Sequence, residues 1–343
     1  MLAEVGRSRQ SNPDARLMRV LKTPKFRVIT ALLLVVCVFA TSPAIAQDYP
    51  QKPVSIIVPF APGVGADVIV RILADRLTQR WKQQVLVVNR PGASGLVAAQ
   101  AAATGAPDGY TLYMPVSSNF TVRPENRAKW PVELPDDFAT IGLISDQPMI
   151  IAVAPSLGVN TLPEFIEYAK SRPNEILYGA TRLSVPHLTG AMLNHRAGIK
   201  MRYIPTTGAA KVMQDVMNGN LHAVIDSVPG IANALRNGTV KALAFTGDKR
   251  LESYPDLPLA SETLPNFHVK GWFVLMAPKD TPSPIVSQIG DDLRDTLNEP
   301  ALRKRYEDIG TFARPASVQA TLAHIKSEQE LWAPIVRQIG AEE

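Results

Sequence analysis

The segment at residues 59–67 combines small residues with a position between a predicted strand and a predicted helix. Gly63 and Gly65 allow a close approach of the backbone to a ligand, because glycine has no Cβ. The unpaired N–H groups at the start of the following helix attract negative charge, so phosphate and carboxylate are both candidate ligands. The alternative is a tight structural turn in which Asp67 caps the helix.

A second segment of this kind covers residues 89–95 and contains Gly92 and Gly95. It also joins a strand to a helix, and it fits either an anion site or a structural turn. Neither segment contains the Gly-x-x-x-x-Gly-Lys-Ser/Thr motif or a complete Gly-x-Gly-x-x-Gly motif. The sequence therefore gives little support to a nucleotide site.

The residues that usually perform catalysis are sparse in this chain. Its five histidines lack the His-Glu-x-x-His spacing of zinc enzymes, and no Gly-x-Ser-x-Gly segment occurs. The one cysteine, Cys37, lies in the N-terminal leader, so the rest of the chain has no thiol nucleophile. We expect a protein that is not an enzyme and that holds neither a metal ion nor a cofactor.

The first 46 residues have the pattern of a secretory signal peptide. Basic residues precede an apolar run at 28–40, and a small-residue stretch then ends at Ala46. A run of this length is shorter than the roughly 20 residues of a membrane-spanning helix, which argues against the alternative of an anchor. We predict cleavage after Ala46 and a periplasmic location. Translation could begin at Met1 or at Met18.

Removal of this leader changes the charge of the chain. The full sequence has 36 Lys and Arg and 31 Asp and Glu, of which the first 46 residues hold seven and two. The remainder carries 29 of each, and its formal net charge is zero. The basic character of the whole chain thus belongs to the export segment, and we expect no nucleic-acid partner.

The mature chain alternates strand-like and helix-like segments, which is typical of α/β proteins with a parallel sheet. Thr161 and Glu164 have the spacing of a capping box at a helix start. Residues 120–138 show no period and are predicted to be irregular. The predicted strands cover 54–58, 85–88, 111–114, 149–153, 177–178, 201–204, 223–225, 241–245 and 272–277, and the predicted helices cover 67–79, 97–104, 162–171, 187–195, 210–218, 231–236, 284–298 and 318–339.

Two apolar strands, beginning near 150 and 272, each run into an Ala-Pro pair. We interpret them as the two crossings between two α/β lobes. The first lobe would consist of 47–150 and 272–343, and the second of 151–271. Two linkers of this kind act as hinges, and a ligand in the cleft between the lobes can close the lobes around itself.

Four motifs occur in order along the mature chain: YPxKPV at 49–54, VPFAPGxGxD at 58–67, NRPGAxG at 89–95 and APDGYTL at 106–112. With them the chain resembles the Bug-type receptors of tripartite tricarboxylate transporters. The resemblance implies a two-lobed, type II-like periplasmic binding fold (a Venus flytrap) and a carboxylate ligand. It also implies that the loop at 60–67 holds the ligand carboxylate through backbone groups and ordered waters.

Departures from the family pattern bear on the substrate. Residues 181–184 read Thr-Arg-Leu-Ser where the family carries Gly-x-Gly-Ser, and residues 206–209 read Thr-Thr-Gly-Ala where it carries Tyr-Lys-Gly-Gly. We hypothesise that Arg182 clamps a distal carboxylate of the ligand with two hydrogen bonds. The alternative is an arginine that points into solvent.

Asp226 ends a predicted strand that faces the cleft. It could select an amine or a hydroxyl on the ligand, or it could cap the next helix. Ser117 and Ser118 should line the wall of the first lobe, whereas His187 is interpreted as structural. The candidate ligand-binding residues are Phe60, Ala61, Gly63, Gly65, Ala66, Asp67, Ser117, Ser118, Thr181, Arg182, Ser184, Thr206, Thr207, Gly208 and Asp226.

These expectations describe a monomeric receptor that captures a small carboxylate between its lobes. It would present the ligand to a membrane permease of the tripartite tricarboxylate type. The alternative partner is a two-component sensor kinase, to which the loaded receptor would report. The sequence does not separate the two, because both need closure around the ligand.

Overall fold

The structure, a computed structural model, describes residues 49–122 and 131–342, with side chains as far as Ile339. The predicted signal peptide and its cleavage site after Ala46 lie outside the described residues. Within them, the chain alternates strands and helices along most of its length. The strands are β1 (Val54–Val58), β2 (Val85–Asn89), β3 (Thr111–Tyr113), β4 (Phe138–Val153), β5 (Leu177–Ala180), β6 (Arg202–Pro205), β7 (Ala223–Ser227), β8 (Lys241–Phe245), β9 (Lys270–Pro278) and β10 (Phe312–Ala313).

The helices follow most of the strands directly. Their positions agree with the predicted segments to within a few residues, and two short helices and one of nine residues were not predicted. The helices are α1 (Gly65–Trp81), α2 (Leu96–Ala103), α3 (Ser118–Thr121), α4 (Leu162–Ser171), α5 (Val185–Ala197), α6 (Ala209–Met217), α7 (Val228–Arg236), α8 (Ala260–Thr263), α9 (Ser283–Asn298), α10 (Pro300–Asp308) and α11 (Val318–Glu342).

The strands form two sheets that share β4. One sheet has the order β2-β1-β3-β9-β4-β10, and the other has the order β6-β5-β7-β4-β8. The predicted parallel pairing is confirmed for β1 with β2 and β3 and for β5 with β6 and β7. It is wrong for β4 and β9, which pair antiparallel with their neighbours. The direction of a strand depends on how the chain connects it to its neighbour in the sheet. The periodicity of apolar residues along the strand contains no information on that connection.

Strand β4 is longer than predicted because it runs through both sheets. Residues from Phe138 to Pro148 pair with β9, and residues from Met149 to Val153 pair with β7. The chain returns to the first sheet between the end of β8 and the start of β9. These positions lie close to the predicted crossings near 150 and 272. The contacts of the chain from Pro50 onward form one compact unit, so the assignment of 47–150 and 272–343 to one lobe and of 151–271 to the other stays a prediction.

The last helix, α11, packs against the cores of both sheets. In its first half, the hydroxyl of Thr321 accepts a hydrogen bond from the backbone N–H of Leu143, and Ile325 joins the core beside the first sheet. In its second half, Trp332 and Ile335 join the core beside the second sheet. A single helix therefore contacts both parts of the fold.

The predicted helix start at Thr161 is confirmed, with one difference. The hydroxyl of Thr161 accepts a hydrogen bond from the N–H of Glu164 at 3.2 Å. The carboxylate of Glu164 accepts from the N–H of Asn160 at 2.7 Å, one residue before the expected donor. Two N–H groups at this end are satisfied, as in a capping box.

Candidate functional site

The loop between β1 and α1 presents a helix start without a side-chain cap. Helix α1 begins at Gly65, and Val64 precedes it in an extended conformation. Asp67 is the third residue of the helix, so the interpretation of Asp67 as its N-cap is wrong. Among the predicted residues of this loop, Ala61 and Gly63 are exposed, and Phe60, Gly65 and Ala66 are half-buried.

The carboxylate of Asp67 stabilises this loop through hydrogen bonds. Its carboxylate accepts hydrogen bonds from the N–H of Gly63 at 2.9 Å, from Arg71 Nε at 2.8 Å and from Asn89 Nδ2 at 2.8 Å. Asn89 Nδ2 also donates to the carbonyl of Phe60 at 3.1 Å. Burial on its own raises the pKa of Asp67, but these donors outweigh it and hold the pKa below its ordinary value. The negative charge of Asp67 is thus satisfied within the scaffold.

The start of α1 meets the start of α7. A Cβ placed on Gly65 would lie 2.8 Å from Ser227 Oγ and 3.4 Å from the ring of Pro229. Ser227 is the N-cap residue of α7, yet its side chain makes no capping hydrogen bond. Two helix starts without side-chain caps therefore face a common region, and each has first-turn N–H groups that suit an anion.

Sequence reasoning did not single out Ser227. It is 4% exposed, and its hydroxyl lies 3.3 Å from Asp226 Oδ1. Serine is favoured at the N-cap and proline in the first helical turn, so Ser227 followed by Pro229 could have marked this position. Its contact with Gly65, however, joins residues that are far apart in the sequence. Only the folded chain shows that contact.

Asp226 precedes the N-cap of α7, so the interpretation of Asp226 as its cap is wrong. It is half-buried, and its Oδ1 accepts a hydrogen bond from the N–H of Ser227 at 2.7 Å. Burial raises the pKa of Asp226 to about 6, and the hydrogen bonds from Ser227 offset that effect only in part. The site therefore contains a carboxyl group whose charge is poorly compensated.

The turn that carries Arg182 is held by a neutral histidine. His187 Nδ1 accepts a hydrogen bond from the N–H of Leu183 at 3.0 Å, and Leu183 has a φ of 58°. The imidazole stacks on Tyr203 with 3.8 Å between ring centroids. Burial lowers the pKa of His187 to about 4, and the nearby charge of Arg182 acts in the same direction. Arg182 itself is exposed, as is Thr181.

The carboxyl ends of β5, β6 and β7 bring several predicted residues to one edge of the second sheet, where open α/β sheets usually bind ligands. The N–H of Thr206 donates to the carbonyl of Ala180, which joins the ends of β5 and β6. The hydroxyls of Ser184 and Thr206 are buried and have no hydrogen-bond partner among the described residues. Beyond them, Thr207 is exposed and Gly208 is half-buried.

At the first sheet, Ser117 is 4% exposed and donates its backbone N–H to the carbonyl of Trp272. Ser118 is half-buried at the start of α3. Phe60 packs edge-on against Phe273, with 6.0 Å between ring centroids. Of the two predicted serines, Ser118 is the more accessible to a ligand.

Two hollows among the described residues lie away from the candidate ligand-binding residues. One, of about 280 Å³, has walls that include Asp146, Lys270 and Phe312, and an open groove runs beside α4. Within residues 49–122 and 131–342, no group of three or more His, Cys, Asp or Glu side chains is arranged to hold a metal ion. In the same ranges, no helix combines the length and the apolar character that a membrane crossing requires.

Comparison with known proteins identifies the family. The family model described as "Tripartite tricarboxylate transporter family receptor" matches residues 69–341. The chain belongs to this receptor family. The receptor is 31% identical to Protein BugT of Bordetella pertussis over 321 residues, which cover 91% of this chain and 98% of BugT.

Solved structures confirm the two-lobed α/β fold of a periplasmic binding protein. The receptor is 28% identical to an R. palustris protein solved with adipate, with a TM-score of 0.77 over 85% of this chain and 98% of that one. It is 26% identical to MatC from Rhodopseudomonas palustris with bound malate, with a TM-score of 0.73 over 84% and 100% of the two chains. The family places this receptor among periplasmic solute-binding proteins.

Proposed function

We propose that this receptor captures a small carboxylate where α1 and α7 begin and delivers it to a permease of the tripartite tricarboxylate type. The observation that carries the proposal is the approach of Gly65 to Ser227 and Pro229. At this point two helix starts, both without side-chain caps, converge from different sheets. The arrangement concentrates main-chain donors around one small volume.

A carboxylate that leaves water needs several donors to offset its desolvation. The first-turn N–H groups of α1 and α7 can provide them, and a hydrogen bond to a charged group contributes about 1.5–3 kcal/mol. The positive ends of two helix dipoles repel each other when they approach, and an anion between them removes that repulsion. Binding therefore favours the conformation in which the helix starts are close, which is ligand-driven closure.

The solved relatives support the choice of ligand class. Adipate is present in one of them and malate in another, and both molecules are dicarboxylates. Arg182, at the exposed tip of the turn after β5, is our candidate for the second carboxylate. Its guanidinium can donate two parallel hydrogen bonds to one carboxylate.

A thermal-shift screen of the receptor purified from the periplasm tests the proposal. We expect dicarboxylates to raise the melting temperature, because a ligand that binds only the folded form stabilises it by mass action. Neutral diols of equal length should have no effect. A panel of mono-, di- and tricarboxylates that leaves the melting temperature unchanged would contradict the proposal.

Delivery to a permease, rather than to a sensor kinase, is proposed because the family is that of a transporter's receptor. Deletion of the gene should abolish uptake of the bound acid. Intact uptake together with lost induction of a responding gene would favour the sensor. Export is tested by N-terminal sequencing of the periplasmic protein, which should begin at Gln47.

A further inference from the structure

One carboxyl oxygen of Asp226, Oδ2, accepts no hydrogen bond from the described residues. Both hydrogen bonds of this carboxyl group go to Oδ1, from the N–H of Ser227 at 2.7 Å and from its hydroxyl at 3.3 Å. Among the described residues, no donor contacts Oδ2, and no Lys or Arg pairs with this carboxyl group. Asp226 is half-buried, which leaves part of its surface open to a ligand.

The position of this carboxyl group is fixed by its neighbours. A Cβ on Gly230 would lie 2.6 Å from Asp226 Oδ1 and 2.7 Å from Oδ2, so the carboxyl group rests against the first turn of α7. The residue that pairs with Asp226 across the sheet is Ile150, which is fully buried. These apolar surroundings explain why burial raises the pKa of Asp226.

The carboxyl group also lies beside the proposed anion site. Ser227 Oγ is 3.3 Å from Asp226 Oδ1, and it would be 2.8 Å from a Cβ on Gly65. One hydroxyl thus separates Asp226 from the start of α1. A carboxylate bound at that start would therefore lie close to the carboxyl group of Asp226.

We infer that Asp226 is a specificity-determining residue, which selects carboxylates that carry a hydrogen-bond donor on the carbon next to the carboxylate. The inference rests on the proposed function. A plain acid brings a second negative charge towards a carboxyl group that already lacks a counter-charge, and it leaves Oδ2 unpaired. A hydroxyl or an ammonium group on the ligand pairs with Oδ2, and an ammonium group also supplies the missing positive charge.

Isothermal titration calorimetry on acids that differ in one substituent tests this inference. The probes are succinate, malate and aspartate, and the matched five-carbon set of glutarate, 2-hydroxyglutarate and glutamate. In the unmodified receptor, we expect at least one substituted acid of a set to bind about tenfold or more tightly than the plain acid. In Asp226→Ala, we expect the preference to fall below about threefold, with binding of the plain acid retained or improved.

Two further variants keep the test independent of folding. Asp226→Asn is close in shape and keeps a neutral acceptor, so it should retain a preference for hydroxyl while losing one for ammonium. Gly230→Ala leaves Asp226 in place but forces its carboxyl group to move, and it should weaken the same preference.

The outcomes separate this inference from the proposed function. Equal affinities for plain and substituted acids in the unmodified receptor would overturn the inference, and so would a preference that survives in Asp226→Ala. Both results leave carboxylate binding intact. If no acid bound to the unmodified receptor, the proposed function itself would fail.

Discussion

Thr246 and Met149 exchange two hydrogen bonds where the chain crosses from the first sheet to the second. The N–H of Thr246 donates to the carbonyl of Met149 at 2.9 Å, and the N–H of Met149 donates to Thr246 Oγ1 at 2.8 Å. The same hydroxyl donates to the carbonyl of Val269, just before β9. One buried side chain therefore joins the outgoing crossing to the returning one.

Thr246→Val should lower the free energy of unfolding by about 2–4 kcal/mol. The substitution keeps the shape of the side chain but leaves the N–H of Met149 and the carbonyl of Val269 buried without a partner. Urea denaturation measures the effect. Thr104→Val is the control, because Thr104 is exposed and its hydroxyl bonds only within its own helix end. Equal losses in the two variants would contradict the joining role of Thr246.

Gly65→Ala should weaken carboxylate binding by about tenfold or more. The added Cβ would lie 2.8 Å from Ser227 Oγ and 3.4 Å from the ring of Pro229, so it would crowd the point where the starts of α1 and α7 meet. Calorimetry with the best acid of the thermal-shift panel measures the loss. Gly290→Ala is the matched control, since its Cβ meets only ordinary contacts at 3.6 Å or more. Unchanged binding in Gly65→Ala would exclude this point as the ligand site.

Arg182→Ala should reduce the affinity for dicarboxylates by roughly 10- to 100-fold and leave that for monocarboxylates nearly unchanged. The expected loss corresponds to one or two charged hydrogen bonds to the distal carboxylate. Calorimetry with succinate, glutarate and butyrate measures the difference. Arg236→Ala, in the last turn of α7, is the control. If the diacids bound Arg182→Ala as they bind the unmodified receptor, Arg182 would be a solvent-facing residue.

Asp226→Asn should stabilise the unliganded receptor at neutral pH and not in acid. Burial raises the pKa of Asp226 to about 6 in the folded chain, against its ordinary value of 3.8, so the folded form binds the proton more tightly. The stability of the unmodified protein therefore falls as pH rises from about 4 to 6, by at most roughly 3 kcal/mol.

Urea titrations of both proteins at pH 3.5 and pH 7.5 check this expectation. The gain in Asp226→Asn should be present at pH 7.5 and nearly absent at pH 3.5, where the aspartate is protonated in the folded chain and mostly protonated in the unfolded chain. An equal gain in stability at the two pH values would contradict a raised pKa of Asp226.

Local patterns were sufficient to predict most of the individual elements and the loops of the candidate site. The glycine segment before α1 and the strand–helix alternation depend on backbone freedom and side-chain periodicity, which neighbouring residues determine. The capped start of α4 at Thr161 is a similar case, because its donors and acceptors lie within a few residues. The family resemblance rested on motifs of the same local kind.

The tertiary structure alone decided how these parts meet. It showed that β4 belongs to two sheets, that Asp67 bonds to Asn89 on the next strand, and that Ser227 reaches Gly65. Such contacts join residues that are tens to hundreds of positions apart. Their formation depends on the packing of whole strands and helices, and no local sequence period records that packing. The sequence by itself determined which backbone groups are available to a ligand, and the fold determined which of them converge.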